Sequence, residues 1–159
     1  MKMFKSWIAV IALILGCEYF IFEAGFLVEL WSKDITKLSF VIIGLVFYRI
    51  YKLGSMARRY DDFQRITQLE IDEGFAAADL MMSIGMVGTI IGFIVMTGSF
   101  TKVDLTDVAN ISQLFDLATN GMSTALYTTL AGLIGSIFTK VVYGFAENKL
   151  IREGALEKK

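Results

Sequence analysis

An all-α integral membrane protein, with four membrane-crossing helices and a short cytoplasmic helical region, is the fold this sequence predicts. Three observations lead there. Apolar residues make up 55% of the 159-residue chain, and its mean hydropathy is positive. They gather into stretches at about 7–31, 35–51, 80–100 and 120–145, which reach or approach the length needed to cross a hydrocarbon core of ~30 Å. The charged stretch between the second and third of these carries Met56, Tyr60, Phe63, Ile66 and Thr67 at helical steps, so it too reads as helix.

The composition excludes several kinds of activity. A net charge of −1 leaves no basic excess to neutralise phosphates, so nucleic acid is not an expected partner. Histidine is absent, which removes the commonest general base and transition-metal ligand. Cys17 is the only cysteine, so neither an intrachain disulfide nor a thiolate metal cluster can form. Its setting, ILGC after Lys2 and Lys5, has some likeness to a lipoprotein cleavage box, but Ile14 and Leu15 fit that box poorly and the apolar run continues through Phe22. No small-x-small cleavage site precedes a polar stretch. The first apolar run is therefore read as a retained membrane helix.

That first span runs from about Trp7 to Trp31, with the two tryptophans in opposite headgroup zones, where amphipathic rings settle. Glu23 and Glu29 fall toward its end, whereas Glu18 falls near mid-membrane. A carboxyl at that depth is either an ion site or a protonated, hydrogen-bonded packing group. A short turn around Ser32–Asp34 makes the second span, 35–51, return antiparallel, so residues 1–53 form a transmembrane hairpin. Residues 54–79 are expected to be a cytoplasmic helix that continues the second span and bends near Gly74. Within it Arg58, Arg59, Asp61 and Asp62 are either a solvated face or a docking surface for a cytoplasmic partner. The third span, 80–100, is followed by an external loop, 101–119, in which Val108, Ile111, Leu114 and Phe115 form the apolar face of a short helix. The fourth span, 120–145, leads into a cytoplasmic tail, 146–159. Basic residues at 2, 5, 49, 52, 58, 59 and 65 outnumber those at 33, 37 and 102. By the positive-inside tendency, both termini and the 54–79 stretch are cytoplasmic.

The third and fourth spans are unlike ordinary Leu/Ile-rich membrane helices. Gly85, Gly88, Thr89, Gly92 and Met96 recur along the third at three- and four-residue steps, as do Gly121, Ala125, Thr129, Gly132 and Ser136 along the fourth. Each set shares one helical face. In lipid such a face lets another helix approach closely and lets hydroxyls bond across the contact. A Gly-x-x-x-Gly pair alone is a common packing device, and most membrane threonines only bond their own backbone. Two small-residue faces that each carry a threonine are more specific, and together resemble the walls of a narrow, weakly polar pathway. The glycines at 85, 88 and 92 are not followed by the lysine of a phosphate loop. There is no Ser/His/Asp set, no carboxylate pair in a polar cleft and no metal-ligand spacing, so no enzyme activity, cofactor or metal is expected.

IGMVGTIIGF at 84–93 resembles the third-span motif of the MotA/TolQ/ExbB proton channel family, in which a Gly-x-x-Gly-Thr run opens the helix. GMSTALYTTLAGL at 121–133 resembles the family's last-span motif, with its Gly, its Ala-Leu and a Thr before a Gly. The likeness covers roughly residues 80–145, and the four-span layout is similar to the MotA branch. The resemblance implies a ring of copies, expected to be a pentamer, enclosing two copies of a single-span partner similar to MotB, TolR or ExbD, which carries a membrane aspartate. A transported proton, or a sodium ion, would reach that aspartate along a threonine-lined gap in the inner membrane of a bacterial-type cell and drive rotation or force. Thr89 and Thr129 fall on the family's two pathway threonines. Thr124 stands where the ExbB branch has a glutamate, and Thr128 beside Thr129 is similar to the paired threonine of sodium-using stators. Phe138 stands where one branch has a proline, and the cytoplasmic region is much shorter than in the MotA branch. A minimal stator that drives a partner other than a flagellar rotor is therefore expected.

Two other readings stay open on sequence alone. In one, the small-residue faces serve only packing in a structural or regulatory four-helix oligomer, and hydroxyl-free changes at 89 and 129 are silent. In the other, the chain is a small transporter of the drug-exporter class that uses Glu18, and Glu18→Gln is fatal.

Overall fold

The computed structural model describes residues 31–34, 36–61, 66–100, 108–154 and 156–157. The first span up to residue 30, with Cys17 and Glu18, lies outside them, as does Asp62. Three long helices dominate: α1 (Leu38–Asp61, 24 residues), α2 (Gln68–Phe100, 33 residues) and α3 (Val108–Arg152, 45 residues). All three are long and apolar enough to cross a membrane. At 1.5 Å per residue, α2 and α3 extend about 50 and 68 Å, well beyond a core of ~30 Å. Each therefore carries a water-exposed extension as well as a span.

The turn that starts α1 is built by one side chain. Asp34 is fully buried; its Oδ1 accepts hydrogen bonds from the Thr36 and Lys37 amides (both 3.0 Å) and from Thr36 Oγ1 (2.8 Å). Its Oδ2 accepts from the Ser39 amide at 3.0 Å. Lys37 takes a positive φ of 56°, and its ammonium stacks over the Trp31 ring at 4.3 Å. The carboxylate thus satisfies amide groups that the helix start leaves unpaired. This places the turn at 34–37 and delays the helix to Leu38, where the sequence suggested 32–34 and a span from 35. Asp34→Ala is expected to destabilise the protein by at least about 2 kcal/mol, with Asp34→Asn recovering part of the loss. Denaturant titration of the purified protein in detergent micelles measures this.

Helices α2 and α3 run antiparallel in one register, residues 74–96 of one against 121–143 of the other. Met96 packs on Gly121, Gly92 on Ala125, Gly88 on Thr128, Gly85 on Gly132, and Gly74 on Tyr143. Helix α1 covers one flank of this pair and runs parallel to α3. Ile42 and Val46 are where a Cβ on Gly135 would lie, at 3.2 and 3.1 Å, and Tyr143 donates its hydroxyl to the Arg49 carbonyl at 3.5 Å. The opposite flank of the α2–α3 seam is covered by no described element.

Beyond the spans the three helices close into a water-side bundle, with Met56, Ala57, Ile66, Ile71, Tyr143 and Leu150 buried together. Strand β1 (Ile66–Thr67) pairs in parallel with strand β2 (Leu156–Glu157), with Ile66 opposite Leu156. Ion pairs Lys52–Glu73 and Arg59–Glu70 tie α1 to α2. The expected single helix over 54–79 is thus divided: α1 ends at Asp61, β1 follows, and α2 starts at Gln68.

Gly74 does not interrupt the helix as expected: α2 is continuous through it. Gly74 is required for contact, not for a turn: a Cβ there would fall inside the ring of Tyr143, which is 1% exposed. Gly74→Ala is expected to cost about 1–3 kcal/mol by overpacking, outweighing alanine's helix-propensity advantage of about 1 kcal/mol. The loss should appear as a lower thermal midpoint in detergent.

The predicted short helix in the 101–119 loop also merges with the fourth span. The helix that begins at Val108 continues without a break to Arg152, since Asn120 and Gly121 keep helical geometry where Gly121 fits against the Met96 backbone.

Candidate functional site

The small-residue faces named from sequence meet each other within one chain. Gly85, Gly88, Gly92, Gly121, Ala125, Gly132 and Ser136 are all buried. A Cβ on Gly92 would lie 2.6 Å from both the Ala125 nitrogen and the Gly121 carbonyl oxygen. On Gly132 it would lie 2.8 Å from the Met81 carbonyl oxygen. Backbone therefore touches backbone along the seam, as small residues permit in a medium that gives helices no hydrophobic drive to associate.

The four candidate threonines separate into two pairs. Thr128 is fully buried, its methyl and hydroxyl filling the space over Gly88, and donates to the carbonyls of Thr124 (2.8 Å) and Ala125 (3.2 Å). Thr124, also fully buried, donates to Asn120 O at 3.0 Å and across to Lys33 O at 2.8 Å. It thereby fastens the turn before α1 to α3. These two hydroxyls face the flank that α1 covers.

Thr89 and Thr129 lie on the other, open flank. Their hydroxyls contact one another across the seam, and each also donates to its own helix, Thr89 to Gly85 O at 3.0 Å and Thr129 to Ala125 O at 2.7 Å. Thr129 is exposed and Thr89 half-buried. Around them the open flank is apolar, with Met86, Phe93, Met122, Leu126 and Leu133 exposed. The result is a small cluster of hydroxyl and carbonyl oxygens at mid-span in an otherwise greasy wall. Such oxygens suit a hard cation or a proton-bearing water.

The other residues named from sequence are spread elsewhere. Arg59 is engaged by Glu70, Arg58 is exposed, and the side chains of Asp61 and Asp62 are outside the described residues, as is Glu18. The structure also brings together a pair that sequence reading missed, Lys140 on α3 and Asp79 on α2, with Nζ 2.7 Å from Oδ1. Helical spacing contained the signal: Lys140 is eleven residues, close to three turns, after Thr129.

Long apolar helices joined by a backbone-close glycine seam, with a hydroxyl cluster on its open edge, define a multi-pass α-helical membrane protein. The chain belongs to the MotA/TolQ/ExbB proton channel family, whose model matches residues 74–156. That span takes in α2 from Gly74 onward, all of α3 and the first residue of β2. Proteins of this family are membrane ion channels of the motor type that work in complexes with partner proteins. No curated protein and no solved structure matches the chain.

Proposed function

We propose that this protein is the ion-conducting, stator-like subunit of a minimal membrane motor, carrying protons or sodium ions past Thr89 and Thr129 to a partner. The observation that carries the reading is the meeting of these two hydroxyls on the uncovered flank of the α2–α3 seam. Five copies arranged as a ring would turn this flank toward an enclosed pair of single-span partner helices, each with a membrane aspartate to accept the ion. A potential of 100 mV supplies ~2.3 kcal/mol per elementary charge, so a few ions suffice to drive a conformational step. The protein would lie in the inner membrane with four spans and both termini in the cytoplasm. Its compact water-side bundle, held by Arg59–Glu70 and Lys52–Glu73, offers a small surface for a rotor, which favours a driven partner other than the flagellum.

The inward Thr124 and Thr128 serve the protomer's own packing in this reading. The test is reconstitution of the complex, with mass measurement of its copy number and dye-reported uptake of protons and of sodium under an imposed potential. A complex of five chains that takes up one of these ions supports the proposal. A complex that passes neither ion favours the packing-only reading.

A further inference from the structure

The open flank of the α2–α3 seam continues past the threonines to a charged end. Lys140 lies close to the Thr129 stripe of α3, and Asp79 is on the same flank of α2; their side chains are 45% and 67% exposed. One helix length of about 16 Å, eleven residues at 1.5 Å each, separates this ion pair from the hydroxyl pair. Between them the exposed side chains are mostly apolar, Met82 and Met86 on α2 and Leu133 and Ile137 on α3, with Ser83 beside Asp79 donating its hydroxyl to the Asp79 carbonyl at 2.9 Å. Two further turns on, Gln68 bridges Asp72 (3.3 Å) and Glu147 (3.2 Å). The flank therefore runs from hydroxyls, through an apolar stretch, to a carboxylate–ammonium pair and then to more carboxylates at the water-side end.

We propose that Asp79 and Lys140 form a charge-paired gate at the water-side end of the cation pathway. Asp79 is the carboxylate that receives the cation, and Lys140 is the built-in counter-ion that the cation must displace. An ammonium held on the Asp79 carboxylate, beside the apolar stretch, competes with any incoming cation for the same oxygens. Asp72 and Glu147, each bonded to the Gln68 amide and to no lysine or arginine among the described residues, raise the local cation concentration at that mouth. The proposal rests on the pathway reading above, so its test separates the two.

The full chain, purified with its single-span partner, is reconstituted in proteoliposomes, and proton uptake in sodium-free medium and sodium uptake are read at an imposed potential. A merely structural ion pair is broken equally by removing either member, so both single variants should then act alike. A gate makes them act oppositely. Lys140→Gln is expected to raise uptake of the carried ion by about threefold to tenfold, and Asp79→Asn to lower it by about tenfold or more, of the size expected when a charged group loses its partner. The double variant should match Asp79→Asn. Because both side chains are exposed, the variants should keep the wild-type copy number by mass. Single variants that shift uptake in the same direction, or both by less than about twofold, overturn the gate. If Thr129→Val abolishes uptake in that same experiment, the pathway reading survives the loss. A wild-type chain that carries neither ion overturns both.

Discussion

Thr129→Val is expected to reduce ion uptake by about ten- to hundredfold while leaving the folded complex intact. Valine keeps the shape of threonine and removes only the hydroxyl. A hydrogen bond to a charged group contributes about 1.5–3 kcal/mol, and each 1.4 kcal/mol is tenfold in rate. The structural loss is small, because Thr129 is exposed and its hydroxyl bonds only within its own helix and to Thr89. Exposed substitutions of this kind change stability within about 0.5 kcal/mol. Thr128→Val is the matched control one residue away. Its hydroxyl is buried against α3 carbonyls, so uptake should stay within about twofold, with any effect appearing in stability instead. Proteoliposome uptake paired with thermal melting in detergent checks both. Equal uptake by the Thr129 variant and the wild type would leave only the packing role for this cluster.

Gly92→Leu should give the largest structural effect in the protein. The atoms facing Gly92 are the Ala125 nitrogen and the Gly121 carbonyl oxygen at 2.6 Å from a built Cβ. Both are helix backbone and cannot swing aside as a side-chain tip could. The helices must part, which breaks the seam above and below the site and separates the Thr89 and Thr129 hydroxyls. Overpacking inside a side-chain core costs about 1–3 kcal/mol; against backbone the loss should exceed that range and abolish assembly. Gly98→Ala and Gly44→Ala are the contrasts, because a Cβ at either position meets nothing within 4 Å. Both should assemble normally. Size-exclusion mass in detergent separates these outcomes, and a Gly92→Leu chain that assembles and conducts would show that the seam is not needed in this form.

Much of this was legible from residue order. Apolar length marked the three described membrane-length helices, and the three- and four-residue recurrence of glycine marked a close helix contact, since both follow from geometry along a single helix. The role of Gly74 was misread as a bend because a glycine's freedom and its small size leave the same letter in a sequence. Only the Tyr143 ring above it distinguishes the two. The start of α1 was misplaced by three residues because Asp34 caps it through amides up to Ser39, a reach that a count of apolar residues does not register. Lys140 falls inside the stretch expected as the fourth span, 120–145, and its bond to Asp79 depends on the register between two helices.

Residue order by itself determined that the chain is a membrane protein with helices able to pack backbone to backbone, because transfer into lipid and helical periodicity act on each segment alone. Tertiary structure decided which threonines face the open flank and which are buried. Thr128 and Thr129 are neighbours in the chain and differ by about 100° around the helix. No property of either residue says which way it turns. That was settled when α1 covered one flank of the α2–α3 seam, burying Thr124 and Thr128, and left the other, with Thr89 and Thr129, open.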